Sequence, residues 1–388
     1  MRRIKFYSKA FVVPSYKTLL QPLKLLLHRA PELLSRSNKP LAMDLEELLN
    51  ILVYFHLQEH SSGRAMLQEL KQDDIAKKMI APKGGLCRST FFETLNERGV
   101  EQLMFVFQEL QKRAASVLPN QYPELGNLVA VDGSLIEAVL SMHWAEYRSS
   151  AKKAKLHLGF DINHGIPKKL SLTDGNGGER PFVSHIVEPG ETSVLDRGYQ
   201  DHHLFDQWRE DGRHFVCRIK ASTKKTVLEA FADQEETGFY DAKVLLGTPG
   251  VNQSKAPVRL VGYNVDGKQF WVATDRFDLS AAQVAMIYKL RWDIEKFFGW
   301  WKRHLKVYHL IVRSEHGLMM QILGGLITYL LLAIYCREQH GEPVSISRVR
   351  ELRCQIRNEA ILAMGRQNRK RPPKKNKQLR NAIKPTRF

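Results

Sequence analysis

The chain has 388 residues, 43% of them hydrophobic, and a formal net charge of +18. This apolar content excludes a wholly disordered chain, and the length predicts two or three domains. The positive charge favours a polyanionic partner, with nucleic acid ahead of an anionic membrane surface. The four cysteines are scattered without a Cys-x-x-Cys pair, which argues against a disulfide framework or a zinc ribbon and favours a reducing compartment.

Residues 1–120 are predicted to form a helical region that binds DNA. Apolar residues recur at three- and four-residue spacing over residues 15–34, 44–58 and 99–118, as in amphipathic helices. A shorter helix is predicted over Leu86–Arg98, where Thr90 and Glu93 have the spacing of a capping box. Its polar side chains could enter a DNA groove, but a packing helix with solvated polar residues fits the sequence equally well.

From about residue 126 the hydrophobic period changes from that of a helix to that of a strand. The predicted order is β-β-β-turn-β-α-β, with the glycine-rich turn "DGNGGERP" after the third strand. This order indicates a mixed α/β core over residues 121–220 and 276–310, with an antiparallel start and a parallel finish. Three further runs, "KVLLG", "PVRLVGYNV" and "KQFWVATD", predict a β-rich insertion over residues 221–275.

The chain is predicted to return to helix after Ser280, a good N-cap residue, and a C-terminal helical region is predicted over residues 311–365. Within it, Leu318–Cys336 has 19 residues without a formal charge, which is close to bilayer-spanning length. A helix buried inside a large domain fits this composition equally well. Membrane attachment and core packing are therefore both open readings of this segment.

The C-terminal residues 366–388 have a distinct composition. They hold ten Lys or Arg, no Asp or Glu, and three prolines, with almost no apolar run. This segment is predicted to be a disordered basic arm. Contact with nucleic acid is favoured over a role in solubility alone.

Two aspartates occupy the same context in the predicted core. Asp132 follows "LVAV" and Asp196 follows "SVL", and each is closely followed by a glycine. The carboxyl ends of sheet strands are where ligand sites form, and adjacent strands would bring the two carboxylates together. Two carboxylates held that close repel unless a cation such as Mg²⁺ lies between them. The alternative is that each aspartate merely caps a turn.

The segment "YKLRWDIEKFFGWWKRH", residues 288–304, is predicted to be one amphipathic helix with a row of polar residues. At about 100° per residue, the row lies within about a 60° stripe beside the buried face. It consists of Tyr288, Arg291, Glu295 and Lys302. Glu295 would complete a three-carboxylate site for two divalent metals, which activate the attacking group and stabilise the leaving oxygen. The other three can bind phosphate, and the neighbouring Trp292 either stacks on an unpaired base or packs.

Asp132 in "AVDGS", Asp196 in "LDRGY" and this helical row together resemble a known pattern. They look like the DDE transposases of bacterial insertion sequences, in the large family with the Y-R-E-K signature (insertion sequence family four). All four signature positions match, and the carboxylates are 64 and 99 residues apart (196 − 132 and 295 − 196). The resemblance covers about residues 126–304. The N-terminal helices and the basic tail match only in general character.

The resemblance implies a fold and a reaction. The fold is a ribonuclease H-like catalytic core with a β-rich insertion, flanked by N-terminal and C-terminal helical regions. The catalytic and metal-binding residues would be Asp132, Asp196 and Glu295. The cofactor would be Mg²⁺, as two ions, with Mn²⁺ as a substitute. The reaction would be cut-and-paste transposition by hydrolysis and strand transfer at terminal inverted repeats.

The resemblance also implies binding roles and partners. Tyr288, Arg291 and Lys302 would hold the 5′ phosphate at a hairpin end, and Trp271 is the nearest candidate for holding a flipped base. The active unit would be a homodimer on paired DNA ends, acting on terminal repeats and target DNA. The protein would be cytoplasmic and nucleoid-associated, with no membrane, so that Leu318–Cys336 would be a buried helix.

Two other functions remain open on the sequence. One is a metal-dependent DNA nuclease that cuts without joining, which the same motifs would serve. The other is a non-catalytic DNA-binding relative, against which the intact set of three carboxylates argues.

Overall fold

The computed structural model describes residues 11–35, 41–82, 84–148, 151–232 and 238–369. The helices before the sheet are α1 (Pro14–Leu19), α2 (Gln21–Leu26), α3 (Leu45–Leu57), α4 (Gly63–Gln72), α5 (Asp74–Met79), α6 (Arg88–Glu97) and α7 (Val100–Val117). The predicted helix over residues 15–34 is instead the two short helices α1 and α2. Pro22 explains the break, because its ring excludes the N–H that would continue the first helix into the second.

The capping box predicted at Thr90 is wrong. Helix α6 begins at Arg88 after Cys87, and no side chain caps its first turn. Phe91 and Leu95 are fully buried, so this helix packs into the core along one face.

The sheet has ten strands in the part of the chain that the structure describes. They are β1 (Leu128–Glu137), β2 (Glu146–Tyr147), β3 (Ala151–Asp161), β4 (Ile166–Asp174), β5 (Thr192–Leu195), β6 (His214–Arg218), β7 (Lys225–Ala232), β8 (Tyr240–Leu246), β9 (Val258–Val265) and β10 (Lys268–Thr274). The main strand order is β2-β3-β1-β5-β6-β10-β9-β8-β7, and β4 also pairs with β3.

The predicted change of strand direction is confirmed. Strands β1, β3 and β4 pair antiparallel, whereas β1–β5 and β5–β6 pair parallel. The four strands β7–β10 extend the same sheet, because β10 pairs with β6. Strand β7 is not predicted from the sequence. Most of its side chains are exposed, so it lacks the alternation of a half-buried strand.

The later helices flank this sheet. They are α8 (Val183–Ile186), α9 (His202–Glu210), α10 (Ala281–Leu290), α11 (Trp292–His304), α12 (Glu315–His340) and α13 (Ile346–Arg369). Helix α13 reaches four residues into the predicted basic arm, and residues 370–388 lie outside the described residues.

Helix α12 contains the apolar segment Leu318–Cys336. It is long and apolar enough to cross a membrane, but 89% of its most apolar window is buried inside the described structure. Helices α3, α6 and α7 pack against it. Core packing therefore accounts for its composition.

The two faces of the sheet bury separate apolar cores. Along β1, Ala130 belongs to the core that includes Ile294 and Trp301 of α11. Val129 and Val131 belong to the opposite core, under α9. Because side chains alternate along a strand, Asp132 has the same orientation as Ala130 and lies on the α11 side.

Candidate active site

Strand pairing brings Asp132 and Asp196 to the same level of the sheet. In the parallel pair β1–β5, Leu128 lies opposite Thr192 and Ala130 opposite Val194, a constant offset of 64 residues (192 − 128). The same offset places Asp132 level with Asp196. The prediction that Asp132 ends its strand is wrong, because β1 continues to Glu137. It lies instead just past the point where β1 stops pairing with β5.

Each aspartate makes one local hydrogen bond. The Asp132 Oδ1 accepts from the backbone N–H of Gly133 at 2.9 Å. The Asp196 Oδ1 accepts from the backbone N–H of Gly198 at 2.7 Å, which caps the short turn after β5. The turn-capping role considered from the sequence is thus present, and it uses one carboxylate oxygen of each residue.

The surroundings of Asp132 disfavour its negative charge. Burial raises its pKa to about 6, and the carboxylates of Glu179 and Asp196 act in the same direction. The Gly133 N–H and the Arg291 guanidinium act in the opposite direction without cancelling the effect. A bound cation would relieve this unfavourable charge.

The polar row lies on two helices and not on the single helix predicted. Helix α10 ends at Leu290 and α11 begins at Trp292, while Arg291 between them keeps right-handed helical dihedrals. The backbone N–H groups of Arg291 and Ile294 donate three residues back instead of four. The junction is therefore a tightened turn, and the polar row stays continuous across it.

Arg291 is the centre of this row. Its Nη2 lies 2.7 Å from the Glu295 Oε1, and its guanidinium carbon is 5.8 Å from the centre of the Tyr288 ring. The Arg291 side chain is only 8% exposed, whereas that of Glu295 is 38% exposed. Asp132 also acts electrostatically on Arg291, so this guanidinium lies near both predicted ligands, Asp132 and Glu295.

Lys302 ties α11 to the first strand. Its Nζ donates to the Leu135 carbonyl oxygen at 2.8 Å. Burial lowers the pKa of Lys302, while Asp132 and Glu137 raise it. The ammonium group is thus held beside β1, three residues beyond Asp132.

The three predicted metal ligands are not assembled around one point. Among the described residues, no group of three or more His, Cys, Asp or Glu side chains lies close enough to hold a metal ion. Asp132 and Asp196 follow the same β1–β5 register, and Glu295 is paired with Arg291. The donor set still suits a hard divalent cation: it consists of carboxylate oxygens, and the Arg291 guanidinium compensates the charge of Asp132 only in part.

The two predicted base-stacking tryptophans lie in different places. Trp292 is 54% exposed at the start of α11, with its ring 5.7 Å from the Arg291 guanidinium carbon. Trp271 lies on β10, three strands along the main order from β1. Its ring covers Gly262, where an added Cβ would be 2.4 Å from a ring carbon, and the Lys225 ammonium lies 4.8 Å from its centre.

Three residues of the site were missed in the sequence. Glu179 lies over Gly133, where an added Cβ would be 2.7 Å from its Oε1. Tyr199 is buried, and the pKa of its hydroxyl is raised by burial and by the nearby Glu179, Asp132 and Asp196. Arg218 ends β6; burial raises the pKa of Tyr288, and Arg291 and Arg218 act against this rise without cancelling it. The strand-end rule that selected Asp196 would also have selected Arg218.

The fold and the acidic pair, Asp132 and Asp196, indicate the class of protein to which this chain belongs. Strand order β4-β3-β1-β5-β6, with three antiparallel strands followed by two parallel ones, is that of a ribonuclease H-like core. Residues 123–331, more than half of the chain, match the family model "Transposase DDE domain". The chain belongs to this family.

Three curated relatives are described as putative or probable transposases. The chain is 29% identical over 201 residues to a putative transposase, y4zB, of Sinorhizobium fredii, covering 50% of this chain and 56% of the relative. It is 26% identical over 208 residues to a probable transposase for insertion sequence element IS5377 of Geobacillus stearothermophilus, covering 53% and 55%. A putative transposase for insertion sequence element IS4SA of Synechocystis is 24% identical over 275 residues, covering 68% and 76%. The chain thus spans about half the length of the first two relatives.

Proposed function

We propose that this protein is a DDE transposase that cleaves DNA at terminal inverted repeats and joins the cut ends to target DNA. The observation that carries the proposal is the shared β1–β5 register of Asp132, on β1, and Asp196, directly after β5, near the Arg291–Glu295 pair. Family membership supports the same reaction class.

Asp132, Asp196 and Glu295 would hold the divalent metal, which is Mg²⁺ in this proposal, as two ions with Mn²⁺ as a substitute. When bound, the metal supplies an activated attacking oxygen and stabilises the leaving oxygen. The shared β1–β5 register of Asp132 and Asp196 supports their part in this site. Glu295 would join them by leaving Arg291, which frees that guanidinium for a phosphate oxygen.

The phosphate would be bound by three groups of the polar row. Arg291 offers a planar pair of donors, and Lys302 offers a point charge held beside β1. Tyr288 adjoins Arg291 and can donate its hydroxyl. Burial raises the pKa of Tyr288, so the phenol keeps its proton and acts as a donor.

The partners follow from the reaction. Double-stranded DNA supplies the terminal repeats and the target, and a homodimer would bring two ends together. Residues 1–120 and the ten cations of residues 366–388 would contribute contacts to DNA. Trp292, exposed beside Arg291, is the better placed of the two tryptophans to stack on an unpaired base near the phosphate. Such a protein would act in the bacterial cytoplasm, at the nucleoid.

The test is a combined cleavage and joining assay. Duplexes carrying the inverted repeats that flank the gene are incubated with Mg²⁺ and a supercoiled target plasmid. Wild-type protein should cut at the repeat boundary and join the ends to the plasmid, and Asp196→Asn should do neither while keeping its gel shift. Cutting without joining would make the protein a nuclease, and full activity in Asp196→Asn would overturn the assignment.

A further inference from the structure

A groove lies next to the acidic pair, on the side away from the polar row. Its volume is about 410 Å³, and it is lined by Lys155, Asn176, Gly177, Gly178, Glu179, Arg180, Pro181 and Gly198. This volume is within the roughly 300–1,000 Å³ range of small-ligand sites. The groove runs between the glycine-rich turn after β4 and the turn after β5.

The groove shares its walls with both aspartates. Glu179, on one wall, lies over Gly133, the residue that donates to Asp132. Gly198, on the other wall, donates to Asp196. A DNA strand whose phosphate is at these carboxylates would therefore pass the residues that line the groove.

The chemistry of the walls suits one nucleotide of such a strand. Lys155 and Arg180 provide two cations, and each is already held in place. The Lys155 Nζ donates to the Gly177 carbonyl oxygen at 3.0 Å and lies 3.3 Å from Glu179. The Arg180 Nε donates to the Gly198 carbonyl oxygen at 3.1 Å, and its Nη1 lies 3.4 Å from the Asp201 carboxylate. Two positioned cations along an open groove fit a phosphate and its sugar.

The glycines keep the groove open. Gly178 is exposed, its φ is not in the left-handed region, and an added Cβ would meet only the Pro181 ring, at 3.9 Å. A side chain at position 178 would thus project into the groove without strain. In contrast, an added Cβ at Gly198 would lie 2.9 Å from Asp196 Oδ1 and would disturb the acidic pair.

We infer that this groove binds one nucleotide of the DNA strand that leaves the acidic pair. The inference rests on the proposed function, since it takes the acidic pair to hold a DNA phosphate. The strand has two sources, the flank of the cut end or the target. The glycine-rich turn would then help to select the strand, in addition to shaping the sheet edge.

Gly178→Leu tests the groove by filling it. The matched control is Gly365→Leu, which adds the same side chain to an exposed glycine of α13 with nothing within 4 Å. Both variants are compared with wild type for cleavage of intact terminal-repeat duplexes and for joining of pre-cut ends to plasmid. Gly178→Leu should lose at least about tenfold in joining, as for the loss of one nucleotide's contacts, with its gel shift unchanged.

The two assays separate the sources of the strand. Loss in joining alone assigns the groove to target DNA, and equal loss in both steps assigns it to the flank of the cut end. Activity of Gly178→Leu equal to that of Gly365→Leu in both assays would overturn the inference. Arg180→Gln, which leaves the turn glycines intact, should show the same pattern if Gly178→Leu folds poorly. Asp196→Asn run in parallel separates failure of the groove from failure of the proposed function. Full activity of Asp196→Asn would refute the proposed function, whereas an inactive Asp196→Asn beside a fully active Gly178→Leu would refute the groove alone.

Discussion

Replacing Asp132 with Asn is expected to stabilise the metal-free protein while it abolishes cleavage. Burial raises the pKa of Asp132 from 3.8 to about 6. A difference of about two pKa units corresponds to about 3 kcal/mol at neutral pH, since one unit equals about 1.36 kcal/mol. Asn is neutral and keeps the oxygen that accepts from the Gly133 N–H. The free energy of unfolding should therefore rise by up to about 3 kcal/mol.

The stability gained by Asp132→Asn should depend on pH. Because the folded protein binds the Asp132 proton more tightly, the contribution of Asp132 to stability is fully present below the unfolded pKa of about 4. It is lost as the pH rises through about 6. The stability gained by Asp132→Asn should thus be largest above pH 7 and fall to roughly half at pH 5.

Urea unfolding in EDTA at pH 7.5 and pH 5 measures this gain. Glu124→Gln, which neutralises an exposed carboxylate, is the control and should change little. Added Mg²⁺ should stabilise wild type and not Asp132→Asn, because the metal would relieve the same unfavourable charge. A variant that is no more stable than wild type at pH 7.5, or a gain that does not change with pH, would refute the reasoning.

Lys302→Met keeps most of the side-chain stem but loses the hydrogen bond to the Leu135 carbonyl, so the cleavage rate should fall more than the DNA affinity. Equal losses in the cleavage and gel-shift assays would contradict this. Asp241→Asn leaves the buried Arg259 guanidinium without its carboxylate partner, so the free energy of unfolding measured with urea should fall by about 3–5 kcal/mol. A decrease below about 1 kcal/mol, the value typical of a solvent-exposed pair, would contradict this. Burial lowers the pKa of His56 to about 4. The stability that neutral His56 contributes is therefore present above about pH 6.5 and is lost as the pH falls to about 4. In His56→Gln the free energy of unfolding should change less with pH over this range.

Local patterns were enough to predict the strands of the core. The alternation around "KLHLGFDI" and the apolar runs before Asp132 and Asp196 predicted strands β3, β1 and β5, and the direction of each strand pair followed from the connections. The equal level of the two aspartates depends on the register between β1 and β5, which is fixed by long-range pairing. No local pattern in the sequence specifies such a register.

The remaining features depend on contacts between distant segments. Glu179 reaches the site from a glycine-rich turn 47 residues after Asp132 (179 − 132), with no periodicity to mark it. A helical wheel placed Arg291 and Glu295 in one row, but it could not show that they pair with each other. The wheel also assumes an unbroken helix, and it therefore does not predict the tightened turn at Arg291.

The central claim is that Glu295 works with the two aspartates although it is paired with Arg291 in this structure. Single-turnover cleavage of a terminal-repeat duplex in Mg²⁺ by Glu295→Gln tests it most directly, because Gln keeps the size and a hydrogen-bonding oxygen but loses the charge. Cleavage should fall to the level seen without protein, while the gel shift of the duplex stays at the wild-type value. Cleavage at a rate near that of wild type would contradict the claim and remove Glu295 from the reaction.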